Sequence, residues 1–213
     1  MEVERRSFYQ SFLYPFIYLM VLWGVKVFEL RYGYDLSKFG IFPRTFMGLS
    51  GVAFAPLIHG DFNHLISNSF PLLILGMAMF YFYRTIAFEI FLWIYFLPNI
   101  WVWISAVGQG YHIGSSGIIY GAVSFLFFSG IFRKNQKSMI LSLVIIFIYG
   151  SLVWGIFPFT RGVSWETHFF GSLSGGLAAY FYRKTGEEYL KSKEKEPEGP
   201  GNDSLIGGEH NES

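Results

Sequence analysis

The chain has 213 residues, 52% hydrophobic and 21% aromatic, with 15% charged and a formal net charge of +1. A soluble domain of this size would carry roughly a quarter charged residues, and a near-neutral balance with no basic stripe argues against a nucleic-acid partner. Cysteine is absent, which excludes disulfides, thiolate catalysis and cysteine metal sites.

Apolar runs of about 20 residues predict six spans, at 11–29, 65–83, 86–107, 115–132, 138–156 and 164–182. The reading is an all-α membrane protein, a bundle of six transmembrane helices in one domain over 1–185. Glu2, Glu4, Arg5 and Arg6 precede the first run with no small-residue cleavage site after it, so the run is expected to be a retained span. Segment 30–63 combines Tyr32, Tyr34, Phe39, Ile41, Phe42 and Phe46 with Lys38 and Arg44. That mixture suits an interfacial, partly embedded first outer loop. Glu89 and Pro98 interrupt the third span, and the fourth is short, which suits a helix that starts below the membrane surface. Gly150 is read at the inner end of the fifth span, without an assigned partner. From 186 to 213 the composition turns to Glu, Lys, Gly, Pro, Asn and Ser, a disordered cytoplasmic tail.

Lysine and arginine set the orientation. With the N-terminus inside, eight basic residues (Arg5, Arg6, Arg84, Arg133, Lys134, Lys137, Arg183, Lys184) face in and four (Arg31, Lys38, Arg44, Arg161) face out. Both termini are therefore expected in the cytoplasm. In that arrangement the second, fourth and sixth spans all start on the outer side. His64 and Asn68, Ser116, and His168 then converge on one depth, within about two turns of the outer boundary at 1.5 Å per residue.

Polar groups inside a bilayer are expensive and are usually there for function. A serine hydroxyl is a weak nucleophile without a base, and His168 is the best-placed base for Ser116. The apolar setting favours a neutral imidazole able to accept a proton. No carboxylate lies at matching depth in the even-numbered spans, and Glu166 points away from His168, so a Ser–His dyad held by packing is expected. Tyr120, one turn beyond Ser116 on the same face, could stack on the ring. Gly117 and Gly121 on the fourth span, and Gly171 and Gly175 on the sixth, would let the two helices approach closely. Free N–H groups at the start of the fourth helix, with the Asn68 amide and the His64 ring one turn apart, are the usual parts of an oxyanion hole.

The stretch His59-Gly60-Asp61-Phe62-Asn63-His64-Leu65-Ile66-Ser67-Asn68, the Gly114-Ser115-Ser116-Gly117 motif, and His168 followed by Gly171 and Gly175 resemble the rhomboid family of intramembrane serine proteases. The likeness covers about residues 10–183. Pro43-Arg44 and Gly48-Leu49 are similar to a common bacterial form of its first loop, although the family's frequent Trp-Arg pair is not evident. The resemblance implies a Ser116–His168 dyad with His64 and Asn68 at the oxyanion, acting without cofactor or metal. The implied substrates are single-span or other membrane proteins, met in the lipid bilayer of a bacterial inner membrane.

Other classes fit less well. An inactive relative serving as a binding or quality-control module would characteristically lack the Ser or the His. A metalloenzyme built on His59, Asp61, His64 and His168 lacks HExxH, and the two halves show no transporter-like repeat. Ser115 lies roughly 100° from Ser116 on a helix, off the motif position. His59 is read as an interfacial structural residue bonding loop backbone, His112 as water-facing, and His210 as inert in the tail.

Overall fold

The computed structural model describes residues 2–107, 110–159 and 164–185, with residues 2–7 by backbone alone. The tail expected at 186–213, with His210, and Arg161 lie outside the described residues. Eight α-helices follow in chain order: α1 (Glu2–Tyr32), the short α2 (Phe46–Leu49) and α3 (Gly51–Phe54), α4 (Phe62–Phe82), α5 (Ala87–Ser105), α6 (Ser116–Arg133), α7 (Gln136–Tyr149) and α8 (Trp165–Phe181). No strand occurs among the described residues; one isolated antiparallel bridge joins Ile41 to His112.

Among the described residues, five segments are long and apolar enough to cross a membrane: Phe8–Tyr32, Phe62–Phe82, Ala87–Ser105, Ser116–Arg133 and Gln136–Ile156. The helix at the sixth predicted span, α8, has 17 residues, the lower end of the range that can span. Their outward faces carry exposed Phe70, Phe88, Phe147 and Ile140, an apolar coat suited to lipid rather than water.

Local sequence sets the boundaries that matter for the site. Asp61 caps α4, its carboxylate accepting from the His64 N–H at 2.8 Å, and this satisfies one of the orphan donors of the first turn. Asn135 caps α7 in the same way, from Ser138 at 2.9 Å. Pro98 does not end α5, which runs on to Ser105, as transmembrane helices tolerate proline when neighbours cover the freed carbonyl.

α6 is the central helix. Of its apolar window 61% is buried, against 22–39% in the other four. Phe125 and Leu126 pack there against Leu75, Met79, Ile90 and Ile94 of α4 and α5. α8 lies against α6 at backbone distance: a Cβ on Gly171 would overlap the Gly117 carbonyl, and one on Gly175 the Gly121 carbonyl. In a bilayer, lipid competes for apolar contact, so association rests on such close packing.

The first loop is more ordered than an irregular embedded segment. It folds into α2, α3 and two 3-10 turns and docks on α5. Trp103 Nε1 donates to the Thr45 carbonyl at 2.9 Å, and the Tyr95 hydroxyl to the Ala53 carbonyl at 2.6 Å. Phe46 and Met47 project outward, 90% and 80% exposed.

Candidate active site

Ser116 is the first residue of α6 and His168 sits in the first turn of α8. The contact between α6 and α8 brings Ser116 Oγ to 2.9 Å from His168 Nε2. His168 Nδ1 lies 3.0 Å from the carbonyl oxygen of Gly155. A carbonyl only accepts, so Nδ1 carries the proton. A neutral ring then has Nε2 free to accept from the Ser116 hydroxyl, which is the tautomer a general base needs.

Gly155 belongs to a 3-10 segment (Gly150–Ile156) that extends α7 toward the site. It does the orienting work that a carboxylate does in a triad, and the sequence reading missed it. A backbone carbonyl is carried by every residue, so composition offers no signal. The one hint is the glycine: a Cβ there would overlap the Tyr120 hydroxyl. The same segment corrects the reading of Gly150, which lies toward the catalytic end of α7 and not at its far end. Tyr120 stacks on His168, with ring centroids 4.1 Å apart and planes 8° apart. The ring is thus held on one face by an aromatic and at Nδ1 by a backbone oxygen.

His64 and Asn68 stand on successive turns of α4. Gly114, at φ +108°, lets the His64 ring come in: a Cβ there would lie 2.6 Å from His64 Cε1. Asn68 is buried, and its Nδ2 has no hydrogen-bond partner among the described residues. A buried amide donor left unpaired costs about 1–3 kcal/mol, so this one is available to an incoming oxygen. Gly117 faces Thr167 of α8, and Gly121 faces Ile94 and the Gly171 carbonyl.

Ser115 is separated from its neighbour by its own bonds. It is fully buried and donates to the Pro56 carbonyl at 2.6 Å. Its N–H points to His59 Nε2 at 3.4 Å. His59 thus bonds loop backbone, as the sequence suggested. It is 2% exposed, edge-on to His64 with centroids 5.1 Å apart. Burial first, then the neighbouring His64, pushes its pKa down to about 4, so the ring is neutral.

His112 is half-buried rather than water-facing. Its Nδ1 is 2.5 Å from Ser164 Oγ, which in turn bonds Thr167 Oγ1 at 2.6 Å. Burial lowers its pKa, partly opposed by Glu166. This chain of polar groups ties the loop before Ser116 to the start of α8.

Lys26 was also passed over, although it lies inside an apolar span. It pairs with Glu29 at 2.6 Å and donates to the carbonyls of His59 and Gly60 at 3.0 Å each. It thereby pins the turn that leads into α4. The signal was present: two opposite charges three residues apart inside a span are usually paired.

The Rhomboid domain model matches residues 47–185. Among curated relatives, uncharacterized proteins of Mycobacterium bovis and Mycobacterium tuberculosis are each 35% identical over 176 residues, covering 76% of this chain and 71% of theirs. An uncharacterized protein of Mycobacterium leprae is 32% identical over 172 residues, covering 76% of this chain and 68% of its own. No solved structure matches the chain.

Proposed function

The chain belongs to the rhomboid family of membrane proteins, and we propose that it is an active intramembrane serine endopeptidase. The observation that carries this reading is the 2.9 Å approach of Ser116 Oγ to His168 Nε2, with Nδ1 engaged by the Gly155 carbonyl. Ser116 Oγ attacks the scissile carbonyl while His168 Nε2 takes its proton. The resulting oxyanion is met by the Asn68 amide, His64 and the free N–H groups at the start of α6. His168 then returns the proton to the leaving amine, and the acyl-enzyme forms as the peptide bond breaks. Water, activated by the same imidazole, hydrolyses the ester and restores Ser116.

The substrates are single-span or other membrane proteins, cleaved in or near a transmembrane segment. α8 is the sixth crossing, short but within range, and both termini are cytoplasmic in a bacterial inner membrane. The site then opens to the outer side, from which water reaches Ser116.

A serine-directed fluorophosphonate probe tests the reading. Wild-type protein in detergent should label, and Ser116→Ala should not. Equal labelling of both, or none in folded wild type, would favour an inactive binding module instead.

A further inference from the structure

A crevice opens between α1, α4 and α5 and runs along α6 from Ile118 and Ile119, next to Ser116, toward the opposite end of α4. His64, packed at Gly114, marks the catalytic end of α4. Arg84, just beyond the other end of α4, is 20 residues further on, on the order of 30 Å at 1.5 Å per residue. That is about one hydrocarbon thickness.

The crevice has a volume of about 220 Å³ and apolar walls that include Ile17, Val21, Leu72 and Ile119. Tyr14, Phe80 and Phe88 also line a second space of about 290 Å³, which is closed by Gln10 and Arg84. The two spaces therefore adjoin at these three rings, the first with apolar walls and the second bounded also by two polar side chains.

Arg84 Nη2 donates to Gln10 Oε1 at 2.6 Å. That uses one of five guanidinium donors and leaves the Gln10 amide N–H₂ free to donate. Among the described side chains, which begin at Phe8, no carboxylate is within ion-pair distance of Arg84. A cation thus sits at the mouth of a lipid-facing apolar slot.

We propose that these adjoining spaces are a binding site for one anionic glycerophospholipid. Its phosphate sits at Arg84 and Gln10, and one acyl chain lies in the crevice between α1 and the α4–α5 pair. A basic pocket between transmembrane helices suits an anionic headgroup, and arginine binds phosphate bidentately.

The test is native mass spectrometry of the full chain in detergent with equimolar dioleoyl-phosphatidylglycerol and dioleoyl-phosphatidylcholine. Wild type should retain one phosphatidylglycerol in clear preference. Arg84→Gln should lose that preference by about five- to tenfold, as one basic contact to phosphate warrants, and Gln10→Leu should weaken it in the same direction. All three side chains targeted here, Gln10, Ile17 and Arg84, are exposed, so the lipid-free melting temperatures should stay close to wild type. Ile17→Trp, which fills the crevice, should reduce retention of both lipids. Equal retention of the two lipids by wild type, or an undiminished preference in both Arg84→Gln and Gln10→Leu, would overturn the proposal. A lipid-free dimer dispersed by Ile17→Trp would assign the crevice to a second copy, and that too would overturn it.

Discussion

Adding one methyl group at Gly155 tests how the base is held. In Gly155→Ala the new Cβ would overlap the Tyr120 hydroxyl, with Tyr120 Cζ at 3.0 Å and His168 Nδ1 at 3.3 Å. Tyr120 cannot withdraw alone, because its ring is stacked on His168 at 4.1 Å. The imidazole must therefore shift, and a displacement of about 1 Å costs on the order of 10²-fold in rate, or ~2.7 kcal/mol of barrier. Tyr120→Phe removes the closest atom and leaves the milder contacts to Tyr120 Cζ at 3.0 Å and His168 Nδ1 at 3.3 Å. The double variant should accordingly recover about tenfold in kcat/KM over Gly155→Ala, a non-additivity expected only of residues in contact. Cleavage of a single-span substrate in detergent gives the rates, and melting temperatures establish that each variant is folded. A wild-type rate for Gly155→Ala, or no recovery on adding Tyr120→Phe, would refute the reasoning.

Gly171→Leu should push α8 off the Gly117 carbonyl, lowering both activity, by on the order of 10²-fold, and melting temperature; wild-type behaviour in both assays would mean that the contact is not needed. Asn68→Ala should cost less than the 10²–10³ typical of a lone oxyanion donor, since His64 and backbone N–H groups remain. The His64→Ala/Asn68→Ala double variant should fall further, and a wild-type rate there would remove both from the mechanism. His59 titrates near 4 in the fold and near 6.5 when exposed, so the unfolded chain binds the extra proton first. Stability is then fully present above about pH 6.5 and is lost as pH falls toward 4. Thermal melts over that range should show this slope, and it should flatten in His59→Gln; an unchanged slope would mean that another group carries it.

The helices were legible because a bilayer imposes a long apolar run on each crossing. The second predicted span, 65–83, became Phe62–Phe82, and the fourth, 115–132, became Ser116–Arg133. Ser116 and His168 were legible as a pair because imidazole is rare in such runs and the serine stands at a helix start within Gly114-Ser115-Ser116-Gly117. What escaped the reading acts through groups that no residue type announces. Gly155 contributes a carbonyl, and the order of the first loop comes from backbone carbonyls at Thr45 and Ala53 that meet side chains of α5. His112 was given too much water, since burial within a loop depends on tertiary packing and leaves no period in the sequence. Lys26 could have been found, and was overlooked because its span was scored for apolarity alone.

Cleavage of a model single-span substrate by the purified protein tests the central claim most directly. Wild type and Ser115→Ala should both cut it, because the Ser115 hydroxyl is committed to the Pro56 carbonyl. Ser116→Ala and His168→Ala should not, while remaining folded and membrane-inserted. Cleavage by Ser116→Ala at the wild-type rate, or its loss in Ser115→Ala alone, would contradict the account.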